Sequence, residues 1–128
     1  MSKNIKFVYL YRDGGNYKFW GEIGFKNPTG LTVSEIDARV RIAVDQEIFF
    51  IANEVEVNEL FPYLDGDLTE DDHCYHEYYS VEETMEKMTD QMNRTILGFL
   101  KQIEGASKSG WHAFNPKDRC FSNIHSNS

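Results

Sequence analysis

Apolar and polar residues alternate strictly from Ile5 to Arg12, with Ile5, Phe7, Tyr9 and Tyr11 on one side and Lys6, Val8, Leu10 and Arg12 on the other. A period of two predicts a β-strand. Asp13-Gly14-Gly15-Asn16 follows, and Gly and Asn tolerate the backbone angles of a tight hairpin. Tyr17, Phe19, Ile23 and Phe25 then alternate with Lys18, Trp20, Glu22 and Lys26, which predicts a second strand whose apolar face continues that of the first. Gly21 and Gly24 in that strand mark a bulge or the close approach of another element.

Asn27-Pro28-Thr29-Gly30 breaks the strand, and Thr32 with Glu35 has the spacing of a capping box. Val33, Ile36, Val40, Ala43 and Val44 recur at helical spacing, so a helix is predicted over 34–46. Ile48-Phe49-Phe50-Ile51-Ala52, running on into alternating Glu54-Val55-Glu56-Val57, is short and β-prone and predicts a third strand. A helical turn is expected over 58–64, with Leu60 and Phe61 inward and Pro62 limiting it, followed by an acidic loop over 65–72. The tyrosine-rich stretch Tyr75 to Val81 predicts a fourth strand. Thr89 is expected to cap a last helix whose stripe is Met92, Ile96, Phe99, Leu100 and Ile103, with Gly105 as its stop. Trp111, Ala113 and Phe114 predict a short edge strand between Gly110 and Pro116.

The order ββα-ββα gives an α+β fold: an antiparallel sheet of four to five strands with two helices packed on one face. One domain is expected over 1–116, with a flexible C-terminal tail over 117–128. The length of 128 residues suits one domain, and the 14% share of aromatic residues supplies large side chains for its core. Tyr9, Tyr11, Tyr17, Phe19, Phe25, Tyr75 and Tyr79 are expected to line that core.

Charge changes the picture more than composition does. The net charge is −8, and it is unevenly placed: between Glu54 and Asp90 thirteen acids stand against one Lys, while the remainder carries eight acids and twelve bases. An acidic pole disfavours nucleic acid, which needs clustered Lys and Arg, and disfavours an anionic membrane surface. It favours a basic protein partner. There is no signal-peptide pattern and no apolar run near the roughly 20 residues that cross a bilayer, so the expected location is cytoplasmic. Cys74 and Cys120 form no CxxC pattern and no disulfide framework, and two thiols are expected.

The densest set of chemically capable residues is Asp71-Asp72-His73-Cys74-Tyr75-His76-Glu77. In a strand, Asp72, Cys74 and His76 point one way and Asp71, His73, Tyr75 and Glu77 the other, so His73 and His76 do not share a metal without a bend. No cofactor is expected. Cys74 has acidic surroundings that disfavour a thiolate, GxSxG is absent, and the Gly14-Gly15 turn opens a strand rather than a phosphate-binding helix. Trp20 falls on the face opposite the core, where a large aromatic serves as an interface platform, and Trp111 is expected to join it if the last segment pairs alongside. With Val8 and Leu10 it forms an uncovered sheet face suited to homodimerisation.

Two functions follow. The first is a small acidic binding protein, inhibitor or adaptor in type, working through the acidic segment and the face around Trp20. The second is a small-molecule-binding domain or enzyme with a His and carboxylate pocket built from Asp72, His73, His76 and Glu77.

Overall fold

The computed structural model describes residues 3–61 and 73–115. Among these residues four strands and two helices are formed: β1 (Asn4–Arg12), β2 (Lys18–Phe25), α1 (Val33–Ala43), β3 (Phe49–Phe50), β4 (His76–Thr84) and α2 (Ile96–Ser109), with a 3-10 turn at Ala52–Val55 between β3 and β4. The α+β architecture expected from the sequence is present. The sheet order is β2-β1-β4-β3, antiparallel throughout.

The alternation in β1 places Ile5, Phe7, Tyr9 and Tyr11 under the helices, all fully buried. Phe7 is the hub: its ring meets Phe99 edge-on at 5.0 Å, stacks on Tyr78 at 5.4 Å, and lies 6.0 Å from Phe50. Aromatic pairs in such geometry add about 0.5–1.5 kcal/mol each beyond area burial. Ile36 and Val40 of α1 and Phe99, Leu100 and Ile103 of α2 close the same cluster. The helices are joined at the surface by a bidentate pair in which Arg39 donates to both Glu104 oxygens, at 2.9 and 2.7 Å.

The hairpin turns through Asn16, which takes the left-handed conformation at φ 68°, while the Asp13 carboxylate accepts from the Gly15 and Tyr17 N–H groups. The capping box forms as expected: the Thr32 hydroxyl accepts from the Glu35 N–H and the Glu35 carboxylate accepts from the Thr32 N–H. Gly24 is a site of close approach. Its carbonyl accepts from the Thr89 and Asp90 N–H groups, its N–H donates to the Thr89 hydroxyl, and a Cβ there would sit 3.0 Å from the Lys87 carbonyl oxygen.

Several expectations are corrected. The third strand stops at Phe50, because Ile51, Ala52, Val55 and Val57 are all buried, and the 3-10 turn buries them together where a period of two could not. Thr89 is engaged at the edge of β2, so α2 begins six residues later under Thr95, whose hydroxyl accepts from the Gly98 N–H; Met92 stays exposed. Gly105 lies within α2, and the helix ends at Gly110, where φ is 86°. Residues 111–115 form no strand. Tyr17 is exposed beside the hairpin turn, and Leu10, expected to be uncovered, is only 3% exposed between its cross-strand neighbours Trp20 and Glu77. Residues 58–61 form no helical turn; the rest of that expected element, the acidic loop over 65–72 and the tail over 117–128 lie outside the described residues. No helix among the described residues is long and apolar enough to cross a membrane.

Candidate functional site

The face of the sheet turned away from the helices carries Lys6, Val8, Leu10 and Arg12 from β1, Lys18, Trp20 and Glu22 from β2, and Glu77, Tyr79, Ser80 and Glu82 from β4. A β-bulge shapes it. Tyr9 pairs with Tyr78 but Val8 pairs with Ser80, so Tyr79 is an extra residue in β4. The inward positions of β4 are therefore His76, Tyr78 and Val81, spaced by two and then three. Bulges re-aim side chains in this way. Tyr79, expected in the core, is turned outward against Trp20, and their rings meet edge-on at 5.0 Å and 90°. Trp20 is 52% exposed and Tyr79 57%. The pair is thus preorganised and accessible together. The alternation of Tyr75 to Val81 gives no sign of this, because the extra residue is set by the pairing of β4 with β1.

Charges frame this pair. Lys6 sits among Glu22, Glu82 and Glu86, at 3.9, 3.9 and 3.3 Å, and the hydrogen bond to Glu86 raises its pKa further. Arg12 donates to Glu77 at 2.9 Å, so Glu77 is part of a structural ion pair on the outer face.

The other residues singled out from the sequence separate. His76 is fully buried and faces inward, with its ring 5.0 Å from Phe61, 5.2 Å from Tyr11 and 6.0 Å from Tyr9. Its Nε2 accepts from the Leu60 N–H at 2.9 Å, which places the proton of the neutral ring on Nδ1, an atom with no hydrogen-bond partner. Burial holds the His76 pKa down at about 3; the Cys74 carbonyl opposes the shift without hydrogen-bond geometry to Nδ1, and His73 adds to it. His76 is a core histidine. His73 also packs on Tyr11, at 5.3 Å, but lies half-buried at the surface, where its Nδ1 accepts from the Tyr75 N–H and its carbonyl accepts from the Tyr11 hydroxyl. Asp72 lies outside the described residues. Trp111 is far from the role expected beside Trp20: its indole N–H donates to the Ala43 carbonyl at 3.2 Å, closing the end of α1 on the helix side. Cys74 is buried and its sulfur accepts from the Phe114 N–H.

One surface cleft does touch the singled-out segment. Asp45, Gln46, Phe49, His73 and Tyr75 line a space of about 350 Å³ where the turn after α1 meets the approach to β4. Phe49 and Tyr75 meet edge-on at 6.1 Å, and His73 stacks beside Tyr75 at 6.3 Å. Gln46 and Glu47 are both left-handed, at φ 53° and 64°, so the turn is of the type that ordinarily takes Asn-Gly. Nothing in the sequence pattern singled out Asp45, Gln46 or Phe49 for this cleft. No group of three or more His, Cys, Asp or Glu among the described residues is placed to hold a metal ion.

No protein-family model, curated protein or solved structure matches the chain.

Proposed function

We propose that this is a small acidic binding protein, adaptor or inhibitor in type, that engages a basic protein through the helix-free face of its sheet. The observation that carries this reading is the exposed edge-to-face pair of Trp20 and Tyr79, held in place by the β4 bulge. Trp and Tyr dominate binding hot spots because each contributes large contact area at little entropic cost, and a preformed pair loses less freedom on binding. The net charge of −8 favours a basic partner and would speed its encounter. The competing pocket reading is weakened by geometry: His76 is enclosed in the core and Glu77 is paired with Arg12, so neither converges with His73 on one cavity.

The test is capture from a lysate of the source cell at low ionic strength, using the wild type and the Trp20→Ser/Tyr79→Ser double variant, with folding of both checked by thermal melting. The expected result is an identified basic protein bound by the wild type, released by salt and missed by the variant. Capture that ignores the double substitution, or a wild type that recovers only its own second copy, overturns the reading.

A further inference from the structure

We propose that the cleft lined by Asp45, Phe49, His73 and Tyr75 is a receptor for an organic cation, the guanidinium or alkylammonium group of an Arg or Lys side chain. This deepens the reading above and rests on it for the source of that cation. The walls of the cleft are aromatic, with Phe49 and Tyr75 edge-on at 6.1 Å and the His73 ring stacked beside Tyr75. Such surfaces attract cations through the ring quadrupole, worth about 0.5–1 kcal/mol when exposed and more when water is excluded. Asp45, which lines the cleft and is exposed, makes no ion pair among the described residues. Gln46, whose side chain carries a carbonyl acceptor, also lines the cleft.

The described residues lining the cleft include no Lys or Arg. Arg41, which donates to the Glu47 carbonyl at 3.0 Å, is committed to Asp37 and lies 5.0 Å over the Tyr78 ring. Among the described residues the chain packs guanidinium groups on rings twice in this manner, the second being Arg94 over Phe25 and Phe99 at 5.6 and 5.2 Å. Burial is the main cause that raises the Tyr75 phenol, and the nearby Asp45 and Glu54 carboxylates act in the same direction, as negative charge beside the cleft would. A volume of about 350 Å³ is ample for one such side chain or a small ammonium compound. Phe49 pairs with Glu77, which also pairs with Leu10 opposite Trp20, so the cleft adjoins the open face at its β3 edge. A basic chain lying over Trp20 and Tyr79 would reach it.

The experiment is an amide NMR titration of the full chain with N-acetyl-arginine amide, and with N-acetyl-citrulline amide as the uncharged isostere. Shifts confined to residues 45–49 and 73–75, saturating for arginine alone and weakened roughly five-fold by Asp45→Asn, support the cleft. Equal responses to the two compounds, shifts elsewhere, or no effect of Asp45→Asn overturn it. Phe49→Leu provides a second variant that removes an aromatic wall and leaves the charge. Asp45→Asn that also weakens capture of the basic protein assigns the cation to the partner. Asp45→Asn that weakens only the titration assigns it to a free compound. Binding of arginine with no Trp20-dependent capture leaves the cleft standing and the docking reading fallen, and Trp20-dependent capture with no arginine response does the reverse.

Discussion

His76 makes the most quantitative demand on stability. Its imidazole is fully enclosed by Phe61, Tyr11, Tyr9 and Phe50, and burial holds its pKa at about 3 against the ordinary 6.5. The unfolded chain takes up a proton on this side chain as the pH falls through 6.5, and the folded chain does not until about pH 3. Stability from this residue is therefore intact above pH 6.5, is lost as the pH falls, and levels off below about 3. Each pH unit inside the window costs about 1.4 kcal/mol, and the two titration curves together give a loss of about 2 kcal/mol between pH 7 and pH 5. His76→Leu removes that loss. At pH 7 it also removes the acceptor for the Leu60 N–H, costing about 1 kcal/mol, and relieves the unpartnered Nδ1–H, which offsets much of that cost. Urea unfolding followed by tryptophan fluorescence at pH 7, 6 and 5 reads the difference directly. The wild type should lose about 2 kcal/mol more than the variant over this range. Parallel pH profiles for the two proteins would refute the reasoning, since every other titrating group is common to both.

Two more predictions concern the backbone and a buried pair. Glu47→Gly should raise stability by about 1 kcal/mol in the same unfolding assay, because Glu47 stands at φ 64°, whereas Glu47→Ala should gain nothing since it keeps the offending Cβ. Arg94→Met should cost about 3–5 kcal/mol at neutral pH and lower the thermal midpoint sharply. Arg94 holds the buried Asp90 carboxylate at 2.8 and 3.0 Å, donates to the Val55 and Glu56 carbonyls and to Gln102, and is needed to keep the Asp90 pKa below its ordinary value against burial. Replacing both partners, as Asp90→Leu/Arg94→Met, should recover part of the loss; a double variant no more stable than Arg94→Met would contradict a cost arising from the stranded carboxylate.

Local pattern alone carried much of the fold. The period-two run of β1, the Asp13 to Asn16 hairpin, the Thr32 and Glu35 capping box and the Phe99, Leu100 and Ile103 stripe of α2 all report interactions between residues a few positions apart, and such interactions are written directly in the sequence. The outward phase of Trp20 follows from the same alternation. What the tertiary structure decided depends on distant partners. Thr89 caps no helix because Gly24, 65 residues away, takes its hydroxyl. The expected third strand curls into a 3-10 turn because Ala52, Val55 and Val57 share one core with Phe7 and Phe99. Trp111 crosses to the end of α1 for an acceptor, 68 residues back. The candidate site divides the same way. Trp20 was legible, but its partner Tyr79 faces outward only because the pairing of β4 with β1 accommodates one extra residue, and register between strands some 70 residues apart is set by packing. The separation of His76 from His73 and Glu77 has the same origin: alternation assigned them to opposite faces, and the closure of Phe61 and Tyr11 over one face made His76 part of the core and left His73 at the rim of a cleft.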